Sequence, residues 1–295
     1  MTGPERGFLL LTSQLGNPAR KPLSVAQLRM LATRVSALQP PTENRDVTEK
    51  DLAALGCSEE LARHIVDLLS EEELLDHYLR KGIRMGCLPL TRVSPGYPQR
   101  LWQRLGLDTP GCLWYKGDLS LLNTPKISLV GSRNIRRENA AFAREAGRQA
   151  ALQGYTLVSG NAVGADQAAQ QACLEAGGNV ISVVAYELNQ RERKENVLYL
   201  AEDGYDEPFT AQRALSRNRV IHSLSDKTFV AQATLEKGGT WDGTVRNLRF
   251  HWSDVFCFDD DSEVMSRLEN MGACKIGLSD LADLSVLKNE NISFL

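Results

Sequence analysis

From Lys126 onward, short apolar runs rich in β-branched residues alternate with amphipathic helical stretches, and this alternation limits the possible folds more than any other feature. The runs are KISLV from Lys126, TLVS from Thr156, NVISVV from Asn179, KTFVAQ from Lys227 and DVFCF from Asp254. Between and after them, helical patterns are expected near Arg137 to Gln153, near Asp166 to Ala176, within KENVLYLAED, after Gly239 and over SEVMSRLENM. Strand, helix and strand in repetition build parallel strands joined by crossover helices on both faces of a sheet. The fold class read from this is α/β, a doubly wound and mostly parallel sheet.

The 295 residues suffice for one large or two ordinary domains, because single cores stop growing at roughly 250 to 300 residues. The first part reads helical. Ser24 is an N-cap candidate before VAQLRMLATRVSAL, whose Leu28, Leu31, Val35 and Leu38 recur at helical spacing, and the helix should stop before Pro40. QPPTENRD reads as a loop. The stretch from Thr48 to Gly82 predicts two or three short helices punctuated by Gly56 and Gly82. A small helical module of the helix-hairpin-helix or sterile-alpha-motif kind is therefore expected over residues 1–90. A proline-bearing connector with a strand candidate at Leu113 to Tyr115 then leads into a Rossmann-like domain, the two together spanning residues 91–295.

Composition removes several function classes. A net charge of −3 argues against coating duplex DNA by bulk electrostatics, since non-specific affinity comes from phosphate neutralisation by Lys and Arg. A local basic pocket remains open. The six cysteines form no CxxC pair, and the four histidines form no HxxxH or HxxH unit, so neither a disulfide framework nor a zinc site is indicated. The run Asp259, Asp260, Asp261 suits a helix start better than a magnesium site, because Asp260 and Glu263 have capping-box spacing. No cofactor and no metal are expected. Without an apolar run of spanning length or a signal-like N-terminus, the chain reads as cytoplasmic, with no membrane partner.

Binding chemistry concentrates in the loops after the apolar runs. Ligands of open parallel sheets sit beyond the carboxyl ends of the strands. There Gly131 allows close backbone approach to an anion, Ser132 adds a hydroxyl and Arg133 offers a fork of donors to phosphate. Ser159, Gly160 and Gly164 precede a helix whose first amides should face the same crevice. Gly238, Gly239 and Thr240 form a third glycine loop suited to a backbone-amide cradle. Arg217, Asn218 and Arg219 fall on a predicted helix. Two residues apart means about 200° of rotation, so one arginine can face the crevice while the other pairs or meets solvent. NQRERKEN reads as a solvated helix start.

Dinucleotide binding is discounted, because GSRNIR lacks the GxGxxG spacing. No GxSxG elbow, Cys-His pair or HExxH appears, and Asp166 and Asp242 make no paired acid/base motif. Asp166 is better suited to holding its loop by accepting amides. No enzyme activity is expected.

Together the segments YPQRLWQRLGLDTPGCLWYKGDLSLL, ISLVGSR, LVSGNAVGADQAAQQACLEAGG and RNRVIHSLSD, from about Tyr97 to Val230, resemble the DNA-processing protein A (Smf) family. That family lies within the Rossmann-like group that also holds the lysine-decarboxylase-like phosphoribohydrolases. The resemblance implies a helical module before an extended Rossmann domain and binding of single-stranded DNA. It also implies delivery of the strand to the RecA recombinase in natural transformation or recombination. By motif position, Ser132, Arg133, Ser159, Gly160, Arg217 and Asn218 would line the pocket. A homodimer is a further expectation and needs an exposed apolar face late in the Rossmann region.

The chain departs from the pattern at several places. Ala214 and Leu215 stand where the family places Phe-Pro, Glu192 and Arg193 where it has Tyr-Pro, and Gln232 and Ala233 where it has Glu-Ala. Tyr186, Tyr205, Phe209 and Trp241 are the aromatic residues that could replace the lost stacking group. GGTWDGT is similar to the PGGxGTxxE loop of the phosphoribohydrolases, but Val245, Arg246 and Asn247 follow Thr244 and the glutamate is absent. The alternative readings are therefore a nucleotide-binding sensor and a nucleoside 5′-monophosphate phosphoribohydrolase.

Overall fold

The computed structural model describes residues 1–35 and 46–289. Its centre is a nine-stranded sheet in the order β1-β2-β6-β5-β4-β3-β7-β8-β9. The strands are β1 (Leu88–Thr91), β2 (Cys112–Lys116), β3 (Lys126–Val130), β4 (Thr156–Ser159), β5 (Val180–Val184), β6 (Val197–Glu202), β7 (Lys227–Val230), β8 (Asp254–Phe258) and β9 (Cys274–Ile276). From β6 to β9 all pairs are parallel; β2 runs antiparallel to β6, and β1 antiparallel to β2. The expected doubly wound, mostly parallel sheet is what the chain forms. Its strand order reverses at β3, which has β4 on one side and β7 on the other.

The helices are α1 (Gly3–Thr12), α2 (Val25–Val35), α3 (Glu49–Ala54), α4 (Glu59–Ser70), α5 (Glu72–Arg84), α6 (Gln99–Leu105), α7 (Arg137–Leu152), α8 (Ala165–Glu175), α9 (Ala211–Ser216), α10 (Asn218–Leu224), α11 (Gly238–Phe250) and α12 (Glu263–Asn270). Alternate residues of the strands feed two cores. Ile127 and Leu129 pack with Phe142 and Ala146 of α7, Ala169 of α8, Leu9 and Leu10 of α1 and Tyr78 of α5. Val130, Val158, Ile181 and Val183 pack with Leu101 of α6, Val220 and Leu224 of α10, Leu248 of α11 and Met265 of α12. Both faces of the sheet are therefore covered, which is why its strands read as nearly unbroken apolar runs. A third cluster joins Leu31, Leu52, Ala62, Ile65 and Leu68 of α2, α3 and α4.

Several local expectations change. Val197–Glu202 is strand β6, not a helix: it pairs with β5 on one edge and β2 on the other, and burial on both faces hides the alternation that marks a strand. NQRERKEN starts no helix; a short 3-10 turn, Leu188–Gln190, ends within its first two residues. Gly56 separates α3 from α4 with φ of 78°, but Gly82 lies inside α5, where a Cβ would come within 2.8 Å of the Tyr205 ring. Packing, not a turn, requires that glycine. Ser262 caps α12 by accepting from Met265, whereas Asp260 accepts from the Ser262 N–H and from Asn139. Helix α1, unforeseen, starts on a Thr2–Glu5 capping box with proline in its first turn. Ser24 opens α2 as expected, while Leu38, Pro40 and most of QPPTENRD lie outside the described residues. Among the described residues, no helix is long and apolar enough to cross a membrane.

Candidate nucleic-acid interface

A crevice of about 700 Å³ opens beyond the carboxyl ends of β3 and β7, where the strand order reverses. Gly131, Ser132, Arg133 and Asn134 form one wall, Arg217, Asn218 and Leu215 another, and Gln232 with Lys237, Gly238, Gly239 and Thr240 the third. Phe209 stands at the same opening.

Arg217 follows α9 and is buried, with 9% of its surface exposed. Its Nη1 donates to the Val183 carbonyl at 3.1 Å, and its Nε is buried without a partner. Burial lowers its pKa, while the nearby Asp166 carboxylate pulls it back up. Asp166 is buried in turn; desolvation raises its pKa, and Arg217 opposes that rise most strongly. Arg219, two residues on, turns away and pairs with Glu202 at 2.6 Å. One arginine of the Arg-Asn-Arg run thus enters the crevice and the other is neutralised.

The glycines explain this packing. A Cβ on Gly160 would sit 1.3 Å from Arg217 Nη1, so the guanidinium lies directly over that residue. A Cβ on Gly131 would sit 2.4 Å from the Cβ of Ala165, and one on Gly164 2.4 Å from the Arg133 carbonyl. Gly131 and Gly164 therefore draw α8 against the β3–α7 loop, and Gly160 makes room for the arginine. Asp166 Oδ2 accepts from the N–H groups of Gly160 and Ala162 at 3.1 and 3.2 Å, and Ala165 N–H donates to the Ser132 carbonyl. The amides expected to face the ligand at α8 are occupied internally. Ser159 is also placed elsewhere: it is fully buried and accepts from Gln170 Nε2 at 2.6 Å.

The third glycine stretch is the first turn of α11 and not a loop before it. No side chain caps this helix, and Gly238, Gly239 and Thr240 present its first turn to the crevice. Asn218 secures it by donating from Nδ2 to the Gly239 carbonyl at 2.8 Å.

Gln232, which the sequence marked only as a departure from the family pattern and not as a site residue, holds the Arg133 loop. Its Nε2 donates to the Asn134 carbonyl at 3.0 Å and its Oε1 accepts from Arg136 N–H at 2.9 Å. Its own carbonyl accepts from Ser132 N–H at 2.9 Å and from Ser132 Oγ at 3.2 Å. Only an amide can donate and accept in this way; a glutamate here could accept alone. A polar residue two positions after a central strand, next to the switch point, is the signal that could have flagged it.

The four aromatic candidates separate clearly. Tyr205 is fully buried and stacks on Tyr78 at 4.3 Å, and Trp241 is buried. Phe209 and Tyr186 are 49% and 36% exposed. Among the described residues, no group of three or more His, Cys, Asp or Glu could hold a metal ion.

The model of the family described as DNA recombination-mediator protein A matches residues 89–271. DNA processing protein DprA of Streptococcus pneumoniae is 34% identical over 145 residues, covering 44% of this chain and 50% of that protein. Protein Smf of Escherichia coli is 32% identical over 156 residues, covering 49% and 41%. The chain thus spans about half the length of the first relatives it matches. The X-ray structure of DNA processing protein A from S. pneumoniae superimposes with a TM-score of 0.70 at 25% identity, covering 88% of this chain and 92% of that one. A structure of the Helicobacter pylori protein, solved for its single-stranded DNA binding mode, has the same fold with a TM-score of 0.56 at 23% identity, covering 66% and 92%. With a matching family model over residues 89–271 and a fold shared over 88% of its length, the chain belongs to the DNA recombination-mediator protein A family.

Proposed function

We propose that this chain binds single-stranded DNA in the switch-point crevice and grips its phosphates chiefly through Arg133 and Arg217. The observation that carries the reading is the buried Arg217 guanidinium, which lines the crevice, makes one side-chain hydrogen bond, to the Val183 carbonyl, and has no directly paired carboxylate. A phosphate at the crevice wall would supply the missing counter-charge, and charge-assisted bonds of this kind are the strong ones. Arg133 is exposed on the opposite wall, Lys237 adds a mobile charge, and the uncapped first turn of α11 suits a further phosphate oxygen. Such contacts position a strand without reading its sequence.

Gly131, Ser132, Gly160, Gly164, Asn218, Gly239 and Thr240 belong to the site in different ways. Thr240 and the backbone of Gly239 face the ligand, whereas Gly131, Gly160, Gly164 and Asn218 set the wall positions. Ser132 is spent on Gln232, and Ser159 supports the loop from behind. Delivery of the strand to a RecA recombinase is the role family membership supports. A homodimer would use exposed apolar side chains late in the chain, such as Phe250, Leu278 and Val286. In this organisation, residues 1–90 form a helical module fastened to the domain of residues 91–295 by α1 and α5, with Leu88 to Leu90 already entering strand β1 of the sheet.

The role is non-enzymatic. Asp166, the carboxylate at the crevice, is held by two amides, and Val245 and Arg246 line a separate groove and bring no acid to the phosphoribohydrolase position. The test is fluorescence anisotropy with labelled oligo-dT across a salt series, with duplex and nucleoside monophosphates as competitors. Binding that weakens with salt and resists a monophosphate is expected. Ready displacement by a monophosphate, with release of free base, would replace this reading with the phosphoribohydrolase one.

A further inference from the structure

From the mouth of the crevice outward, four side chains from three loops form a ladder. Arg133 of the β3–α7 loop lies over the Phe209 ring at 6.0 Å to its centroid. Phe209, from the segment between β6 and α9, meets Tyr186 edge-on with centroids 5.5 Å apart and planes at 89°. Arg191 lies over Tyr186 at 5.0 Å. Tyr186 and Arg191 follow β5. Both rings are substantially exposed, so they are not core residues that happen to touch. Neither arginine forms an ion pair among the described residues, so both positive charges remain available.

The backbone holds this arrangement in place. Glu187 N–H donates to the Glu207 carbonyl and Asn189 N–H to the Tyr205 carbonyl, each at 2.9 Å, which stitches the Tyr186 segment to the Phe209 segment. Arg213 ties the second segment down from α9 by pairing with Glu207 at 2.5 Å and donating to the Pro208 carbonyl at 3.0 Å. Exposed aromatic rings fixed in this way have already met the ordering cost that stacking on a flexible loop would incur. They also adjoin the crevice directly, since Phe209 and Arg133 line it.

We infer that Tyr186 and Phe209 form a stacking platform for unpaired bases of a strand leaving the crevice, with Arg133 and Arg191 holding the flanking phosphates. The inference rests on the single-strand reading given above and deepens it. Every base has a π-face, so the platform tolerates any sequence, while a duplex keeps its bases stacked on one another and offers none. The chain has Ala214 and Leu215 before Arg217, where neither side chain can stack, and the platform supplies the missing aromatic surface from a different place.

The test compares oligo-dT with an abasic strand of equal length and phosphate number, for the intact chain, Tyr186→Ala/Phe209→Ala and Arg217→Ala. The intact chain should prefer oligo-dT by about 10-fold or more. The double variant should lose that preference, binding the two strands alike, and retain an unchanged circular dichroism spectrum and melting temperature. Arg217→Ala should weaken both strands alike. Equal binding of the two strands by the intact chain, or an undiminished preference in the double variant, overturns the platform and leaves the crevice reading in place. Failure of the intact chain to bind either strand overturns both.

Discussion

Two cavities of nearly equal size meet at Leu215 and differ in the fate of their arginines. The switch-point crevice holds about 700 Å³ and the cleft between α2, the connector and the end of β6 about 720 Å³. In the cleft, Arg29 pairs with Asp108 and Arg219 with Glu202, while Arg92 donates to the carbonyls of Leu107 and Thr109 and lies over Trp102 at 4.9 Å. These three arginines are spent on internal contacts, whereas Arg246, also on the cleft wall, lies over Trp252 at 5.8 Å and has no ion pair among the described residues. In the crevice, Arg133 has no carboxylate in contact, and Arg217 has Asp166 nearby only as a tempering charge. Volume does not separate the two cavities; the buried Arg217 without a directly paired carboxylate does.

The largest expected effect breaks the crevice side of this comparison. Arg217→Ala should weaken oligo-dT binding by ~100-fold and reduce the salt slope by about one. Gly160→Ala should lose a comparable amount without touching a charge, because its Cβ would occupy the guanidinium's place. Equilibrium titrations over a salt series measure both. Arg219→Ala tests the cleft side: it should cost about 2 kcal/mol of stability in urea unfolding by leaving Glu202 unpaired and largely buried, yet change strand affinity by no more than about 2-fold. A large binding loss there would merge the two cavities into one site.

Gln232→Glu sharpens the comparison within the crevice. It removes the donor to the Asn134 carbonyl and adds a negative charge beside the Arg133 loop, so affinity should fall by about 10-fold. The smallest effect concerns His222, on the helix that starts beside Arg217. Burial, with a lesser push from the Arg217 charge, drives its pKa down to about 3 from an unfolded value of 6.5. Between those values the unfolded chain takes up a proton that the folded chain refuses. Stability conferred by the neutral imidazole is therefore full above pH 6.5 and lost as pH falls toward 3, by at most about 1.4 kcal/mol per pH unit. Melting curves of the intact chain and His222→Gln, subtracted, should show that slope; a flat difference would mean that His222 charges freely in the fold.

What could be read from residue order was whatever depends on local pattern. The apolar runs after Lys126 placed five central strands and the helices between most of them, and GSRN with Arg-Asn-Arg pointed to the crevice walls. The same pattern misassigned Val197–Glu202, because a strand buried on both faces shows no alternation. It also missed β1 and α1, whose partners lie far along the chain.

The sequence by itself determined the fold class, the family and the presence of two arginines two residues apart. Only the tertiary structure decided which arginine enters the crevice. That choice depends on Gly160 of the β4–α8 connection, Asp166 in the first turn of α8 and Glu202 at the end of β6, brought together around one helix junction. It likewise decided that the amides before α8 are occupied by Asp166 while the first turn of α11 stays open, and that Phe209 and Tyr186, not Tyr205 or Trp241, face solvent. Burial and the pairing of charge are properties of neighbours in space, and no spacing along the chain encodes them.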